Sequence, residues 1–276
     1  MPFKNEEMIC FPNAKINLAL NIVSKRFDGY HNIETIFYPI ALKDALEIVP
    51  SKDNKMYRFF QTGIDVQTKA ENNLVIKALM LLSAEKYIPN IDIHLFKKIP
   101  HGAGLGGGSS NAAFMLKLLN GTFSLGYSYA ELKQFAMKLG ADCSFFLNNT
   151  PAFATGIGDK LEEIDLSLEE YYFVLIKPDI TVSTKEAYAQ IIPKQPEVSL
   201  KEIVKLPIGE WRETMFNDFE TPLFKKHPEI KEIKETLYNK GALYASMTGS
   251  GTSVYGFFEK KPDISFPNCF VWKNYL

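Results

Sequence analysis

The chain is 276 residues long, which at roughly 150 residues per domain means one large domain or two modest ones. Its 31 Lys+Arg against 32 Asp+Glu leave a formal charge of −1, an argument against a dedicated binder of nucleic acid or anionic membrane, both of which carry a basic excess. With 46% hydrophobic and 23% charged residues, disorder, collagen and coiled coil are excluded as descriptions of the whole chain. Cys10, Cys143 and Cys269 stand far apart with no paired metal-ligand spacing, so neither a disulfide framework nor a zinc site is expected. The odd cysteine count, the polar start over residues 1–7 and the lack of any long apolar window predict a cytoplasmic protein without a leader or membrane span.

From residue 10 to 23, apolar Ala14, Ile16, Leu18, Leu20 and Ile22 alternate with Lys15, Asn17 and Asn21, the period of a half-buried strand with Lys15 and Asn17 on its other face. A turn at Phe27-Asp28-Gly29 leads to extended stretches over 33–40 and 45–49. Asn72 or Asn73 is placed to cap a helix with Leu74, Ala78, Leu81 and Leu82 on its apolar face. Ile91, Ile93 and Leu95 alternate as a strand, and Ala112, Met115, Leu116 and Leu119 recur at helical spacing. Between them lies Pro100-His101-Gly102-Ala103-Gly104-Leu105-Gly106-Gly107-Gly108-Ser109-Ser110, so the unit is strand, glycine loop, helix. A helix over 129–139 is stopped by Gly140, read as a left-handed terminator. Residues 148–159, rich in Pro, Gly, Thr and Asn, form the candidate boundary between domains 1–155 and 156–276. Beyond it the pattern predicts a buried strand over 171–177, a capping box at Ser183–Glu186, a helix over 230–238 and a strand over 254–258 after Gly249-Ser250-Gly251.

Five glycines within residues 102–108 satisfy G-x-G-x-x-G, yet the acidic residue that a dinucleotide fold needs about 20 positions on falls inside a predicted helix. A P-loop would end in Gly-Lys-Ser/Thr, and this loop ends in Gly-Gly-Ser-Ser. The physics still favours an anion: glycines let backbone N–H groups converge, and the following helix offers its positive end. Ser109 and Ser110 sit where a hydroxyl either caps the helix or touches phosphate and its metal. The bland alternative is a flexible turn with an ordinary serine cap.

Pro12-Asn13-Ala14-Lys15-Ile16-Asn17-Leu18, Gly29-Tyr30-His31, the glycine loop, Gly140-Ala141-Asp142 and Met247-Thr248-Gly249-Ser250-Gly251 together resemble the GHMP kinase superfamily of small-molecule kinases. The Ala-Lys-Ile-Asn-Leu strand with Gly-Tyr-His resembles the branch acting on a cytidine-diphosphate-linked methylerythritol. One departure is Phe27, where the family commonly has proline before Asp-Gly-Tyr-His. The resemblance implies an α+β, two-domain GHMP kinase fold, with an N-terminal ribosomal-protein-like nucleotide-binding domain and a C-terminal ferredoxin-like domain. It implies ATP as co-substrate, with Mg2+ on its phosphates, and transfer of the γ-phosphoryl group to a hydroxyl of isoprenoid-precursor synthesis. No nucleic-acid or membrane partner is expected, and the chain is expected as a monomer or weak homodimer.

Carried over residue by residue, Lys15 and Asp142 are the catalytic pair, residues 100–110 bind ATP, and Asn17, Tyr30, His31, Thr184 and Tyr188 meet the acceptor substrate. Each has a plainer reading. A strand lysine ordinarily points to solvent, and an aspartate before an apolar helical run is by default an N-cap. Tyr30 and His31 are otherwise half-buried hairpin residues, and Thr184 otherwise belongs to a capping box. His101 reads as a tolerated loop residue, Lys97 and Lys98 as surface lysines, and Asn217-Asp218-Phe219-Glu220 as a helix start. Alternatives that stay open are a sister kinase for mevalonate or homoserine, a nucleotide-binding regulator without catalysis, and an RNA binder, the last opposed by the −1 charge.

Overall fold

The computed structural model describes residues 8–66 and 69–276; residues 1–7, read above for their polar character, lie outside the described residues. In chain order the strands and helices begin β1 (Ile9–Cys10), β2 (Asn13–Lys25), β3 (His31–Lys43), β4 (Ala45–Pro50), β5 (Tyr57–Gly63), α1 (Leu74–Ser83) and β6 (Ile91–Lys97). Then come α2 (Gly107–Thr122), α3 (Tyr129–Leu139), α4 (Cys143–Asn148), β7 (Ala152–Thr155), β8 (Lys160–Glu163) and β9 (Tyr172–Pro178). Last are α5 (Thr184–Tyr188), α6 (Leu200–Ile203), α7 (Trp211–Thr214), α8 (Glu220–Lys226), α9 (Pro228–Asn239), β10 (Tyr244–Met247), β11 (Val254–Phe258) and β12 (Cys269–Tyr275). The chain divides into two compact units, each discontinuous: one holds residues up to 14 with 41–101 and 106–149, the other 15–40, 102–105 and 150–276.

In the first unit a sheet of order β1-β4-β6-β5 pairs β4 antiparallel to β1 and β6, and β5 parallel to β6. A parallel pair needs a crossover, and α1 supplies it. Asn73 starts α1 by accepting the Val75 N–H at 3.0 Å, and Val75, Ile76, Ala78, Leu79 and Leu82 are its buried face. The four apolar positions expected of α2 are all buried. At α3, Ser128 and Glu131 form a reciprocal capping box. Gly140 ends that helix in extended conformation (φ 163°, ψ 156°), not the left-handed one expected from sequence.

The second unit contains the sheet β2-β3-β7-β8 and a second sheet of order β10-β11-β9-β12. In the latter, β11 is antiparallel to both β9 and β10, so β9 and β10 run parallel on either side of it, a split βαβ with α5–α9 in its crossover. The return from β11 to β12 carries no helix, a departure from the second crossover of a ferredoxin-like domain. One face packs Val174, Ile176, Phe219, Ile230, Leu237, Met247 and Val254. Opposite them the Phe173 ring meets Tyr255 at 5.6 Å, Phe257 at 5.2 Å and Trp272 at 5.9 Å.

β2 corrects the half-buried expectation. Every residue from Asn13 to Leu20 is buried, Lys15 at 3% and Asn17 at 2% exposure, because both faces of the strand are covered. Alternation reports which side chains are polar, and it does not report whether the polar side meets water. Phe173→Ala should cost about 3–5 kcal/mol through the cavity left among these rings; a urea-melt midpoint unchanged from wild type would contradict that packing.

Candidate active site

The second unit gathers part of the expected site around β2. Period two puts Lys15 and Asn17 on one face, where the Lys15 ammonium donates to Asn17 Oδ1 at 2.7 Å and stands 4.7 Å from the Phe37 ring centroid. Engaged there, Asn17 turns its amide nitrogen to Thr35 Oγ1 at 2.8 Å. Its main-chain N–H donates to Thr248 Oγ1 at 2.9 Å, and that hydroxyl donates to the Gly104 carbonyl at 3.1 Å. Lys15 N–H donates to the Leu105 carbonyl at 3.0 Å, so residues 104 and 105 are tied to the strand twice. Gly104 has φ +73°, and a Cβ there would lie 2.1 Å from the Thr248 carbonyl oxygen, so no side chain fits. The open space around Gly102, φ +60°, contrasts with it.

The turn after β10 is braced by residues read from sequence as a helix start. Asn217 Nδ2 donates to the carbonyls of Met247 at 2.8 Å and Gly249 at 2.9 Å. Asp218 accepts the Ile22 N–H at 2.6 Å, and Glu220 accepts the Met247 N–H at 2.8 Å. Only the Asn217 Oδ1 contact to the Phe219 N–H, at 3.0 Å, resembles the expected cap. The Tyr255 hydroxyl donates to the main chain at Asn17 and Leu18, 2.9 Å each, and Tyr244 reaches Leu18 too. No sequence signal pointed to these tyrosines.

His31 and Tyr188, 157 positions apart in sequence, are stacked at 4.7 Å with 23° between the rings, and Tyr188 also meets Phe219 edge-on at 4.8 Å. Burial and the nearby Lys25 charge pull the His31 imidazole below its ordinary range. Tyr30 is 62% exposed on a turn held by Asp28, which accepts the Tyr30 N–H at 3.1 Å and pairs with Arg26 at 2.8 Å. Phe27 is fully exposed, so this charged clamp holds the turn without help from its ring. At α5 the cap is Ser183, accepting the Glu186 N–H at 3.2 Å; Thr184 follows it, exposed.

In the first unit, Gly106 is left-handed (φ 68°) and α2 begins at Gly107, leaving first-turn N–H groups without helical partners, the arrangement that receives an anion. Ser109 is half-buried and its hydroxyl bonds the Cys143 thiol, whereas Ser110 is fully buried and its hydroxyl has no hydrogen-bond partner. Asp142 occupies the N-cap position of α4, but its side chain makes no capping bond there. His101 is exposed, His94 stacks on Phe60, and Lys97, expected at the surface, is buried in an ion pair with Asp44. Among the described residues no group of three or more His, Cys, Asp or Glu is placed to hold a metal. No described helix is long and apolar enough to cross a membrane.

Burial pushes the Cys10 and Cys143 thiols up to about 12 and raises Cys269 as well. Raised values mean little thiolate, so native protein at pH 7.5 should react slowly with a disulfide reagent and release all three thiols on unfolding. Fast reaction of Cys143 in the native state would contradict its burial. Gly104→Ala should lower the melting temperature far more than Gly102→Ala, which adds only about 1–2 kcal/mol of left-handed strain; equal melting temperatures of the two variants would refute the close approach to Thr248.

The family described as GHMP kinases N terminal domain matches residues 73–156, and GHMP kinases C terminal matches residues 199–266. The 4-diphosphocytidyl-2-C-methyl-D-erythritol kinase of Parabacteroides distasonis is 58% identical over 273 residues, covering 98% of this chain and 100% of the relative. A crystal structure of 4-(cytidine 5'-diphospho)-2C-methyl-D-erythritol kinase superposes with a TM-score of 0.77 at 31% identity, over 90% of this chain and 89% of that one. The mevalonate kinase of Methanococcus jannaschii shares the fold, at TM-score 0.69 and 16% identity over 98% of each chain.

Proposed function

We propose that this chain, which belongs to the GHMP kinase family, transfers the γ-phosphoryl group of ATP to the 2-hydroxyl of 4-diphosphocytidyl-2-C-methyl-D-erythritol, giving the 2-phosphate. The observation that carries this reading is the 58% identity that runs the full length of a relative with that name. The acceptor is a tertiary alcohol, crowded and weakly nucleophilic, so rate must come from in-line positioning and charge neutralisation, with no phosphoenzyme.

Asp142 is the proposed base. Its carboxylate would take up the proton that the acceptor hydroxyl loses during transfer. Its side chain makes no capping bond at the start of α4. Lys15 supplies positive charge to the acceptor oxygen or the transferring phosphoryl group, and its bond to Asn17 holds the ammonium on one side of β2. The loop from Pro100 to Ser110 cradles the ATP phosphates with its backbone N–H groups. Asn17, Tyr30, His31, Thr184 and Tyr188 take the acceptor end; the stacked His31 and Tyr188 present aromatic surface suited to a cytosine ring, worth roughly 1–3 kcal/mol of stacking per base.

Magnesium accompanies the ATP phosphates, where it would neutralise their charge. With no carboxylate cage among the described residues, Ser109 is the hydroxyl best placed for it; Ser110 is too deeply buried. We assign the ATP-binding domain to residues 1–155, which also carry Asn17, Tyr30 and His31, and the substrate-side domain, with Thr184 and Tyr188, to residues 156–276, in a monomer or weak homodimer of the cytoplasm.

Asp142→Ala and Lys15→Ala should each lower turnover of ATP with the cytidylyl substrate by about a hundredfold or more while ATP still binds. Coupled-assay rates near wild type in both variants would sink the role assignment. Phosphorylation of mevalonate or homoserine with no response to the cytidylyl substrate would overturn the substrate.

A further inference from the structure

Asp44, Lys97 and Asn111 lie in the first unit at 1%, 5% and 3% exposure, and no step of the proposed reaction uses them. The Lys97 ammonium pairs with Asp44 Oδ2 and donates to Asn111 Oδ1 at 2.9 Å. Asn111 Nδ2 donates to the same Asp44 oxygen at 2.9 Å. The other oxygen, Oδ1, accepts the main-chain N–H groups of Lys98 at 2.7 Å and Ile99 at 2.9 Å.

The places these groups occupy give the cluster its meaning. Lys98 and Ile99 are the last residues before Pro100, where the glycine loop begins, and Asn111 is the fifth residue of α2, into which the loop runs. One carboxylate therefore ties the strand that enters the loop to the helix that leaves it. Gly107 brings the two closer still: a Cβ there would lie 2.9 Å from Ile99 Cγ2 and 3.4 Å from Lys97 Nζ. Burial pulls the Lys97 ammonium below its ordinary range while Asp44 opposes the shift, the mark of a charge held out of water by its partner.

A buried ion pair is commonly no more stabilising than apolar residues of the same volume, so its use here calls for a return other than stability. The loop supplies the reason. Gly102, Gly104 and Gly106 all have positive φ, and such a segment is conformationally free when unrestrained, so ordering it around a phosphate would cost affinity. We propose that Asp44, Lys97 and Asn111 are positioning residues that fix both ends of the glycine loop in its anion-binding form and thereby set the affinity for the phosphates of ATP. The inference rests on reading that loop as the phosphate site. Lys97 acts through the loop and does not touch the nucleotide.

The test is the charge-free double variant Asp44→Asn, Lys97→Met, which removes both ions together and so strands neither. ATP binding is titrated calorimetrically without acceptor, beside kcat, KM for ATP and the binding of cytidine diphosphate. Melting close to wild type, with Kd and KM for ATP raised about tenfold, kcat at saturating ATP little changed and cytidine diphosphate binding unaltered, is the expected result. A folded double variant that binds ATP within about twofold of wild type overturns the proposal. Should it not fold, Asn111→Ala decides by the same titration, because it leaves the ion pair and cuts only the tie to α2; unchanged ATP affinity there also overturns it. Since ATP binding is read without acceptor, a wild-type protein that binds ATP but ignores the cytidylyl substrate would refute the substrate assignment alone.

Discussion

A lysine ammonium inside a strand covered on both faces is the constraint around which the second unit is organised. Such a charge is costly unless hydrogen-bonded, and Asn17, two residues along the same face, meets it. That engagement fixes the rest of Asn17: its amide nitrogen goes to Thr35 and its main-chain N–H to Thr248, 231 positions away in sequence. Thr248 then reaches the Gly104 carbonyl, so solvating one charge without water also locks the middle of the glycine loop to the strand. Tyr244 and Tyr255 complete the arrangement by holding the next carbonyls of β2.

The same economy recurs in the first unit with a different charge. Lys97 is satisfied by Asp44 and Asn111, and the second oxygen of Asp44 is spent on the two N–H groups just before the loop. In both units the polar partners of a buried cation go on to hold main-chain groups in or beside the glycine loop. Within a low-dielectric interior such bonds are strong and their loss is expensive, which makes them effective as geometric fixtures.

The short helix α4 is secured differently, from its far end. Its C-terminal carbonyls at Phe146 and Leu147 accept from Lys117, at 3.0 and 3.4 Å, and Asn149 closes it in left-handed conformation. Its N-terminal position is held by Asp142 without a capping bond from that side chain.

Local chemistry alone determined a good deal. The period of β2, the apolar face of α2, the end of α3 at Leu139, the strand Val254–Phe258 and the strand, loop, helix order around residues 91–122 are all legible, because periodicity, capping residues and glycine act within a few positions. The family itself was legible by resemblance, through motifs that include Lys15, Asn17 and Asp142. Tertiary structure alone decided that Lys15, Asn17 and Lys97 are buried, since only neighbouring elements can cover the polar face of a strand. It also decided that Asn217 braces the Gly249 turn, that His31 stacks on Tyr188, and that Gly104 admits no side chain. Each of these depends on a partner dozens to hundreds of positions away, and a residue's own sequence neighbourhood carries no trace of that partner.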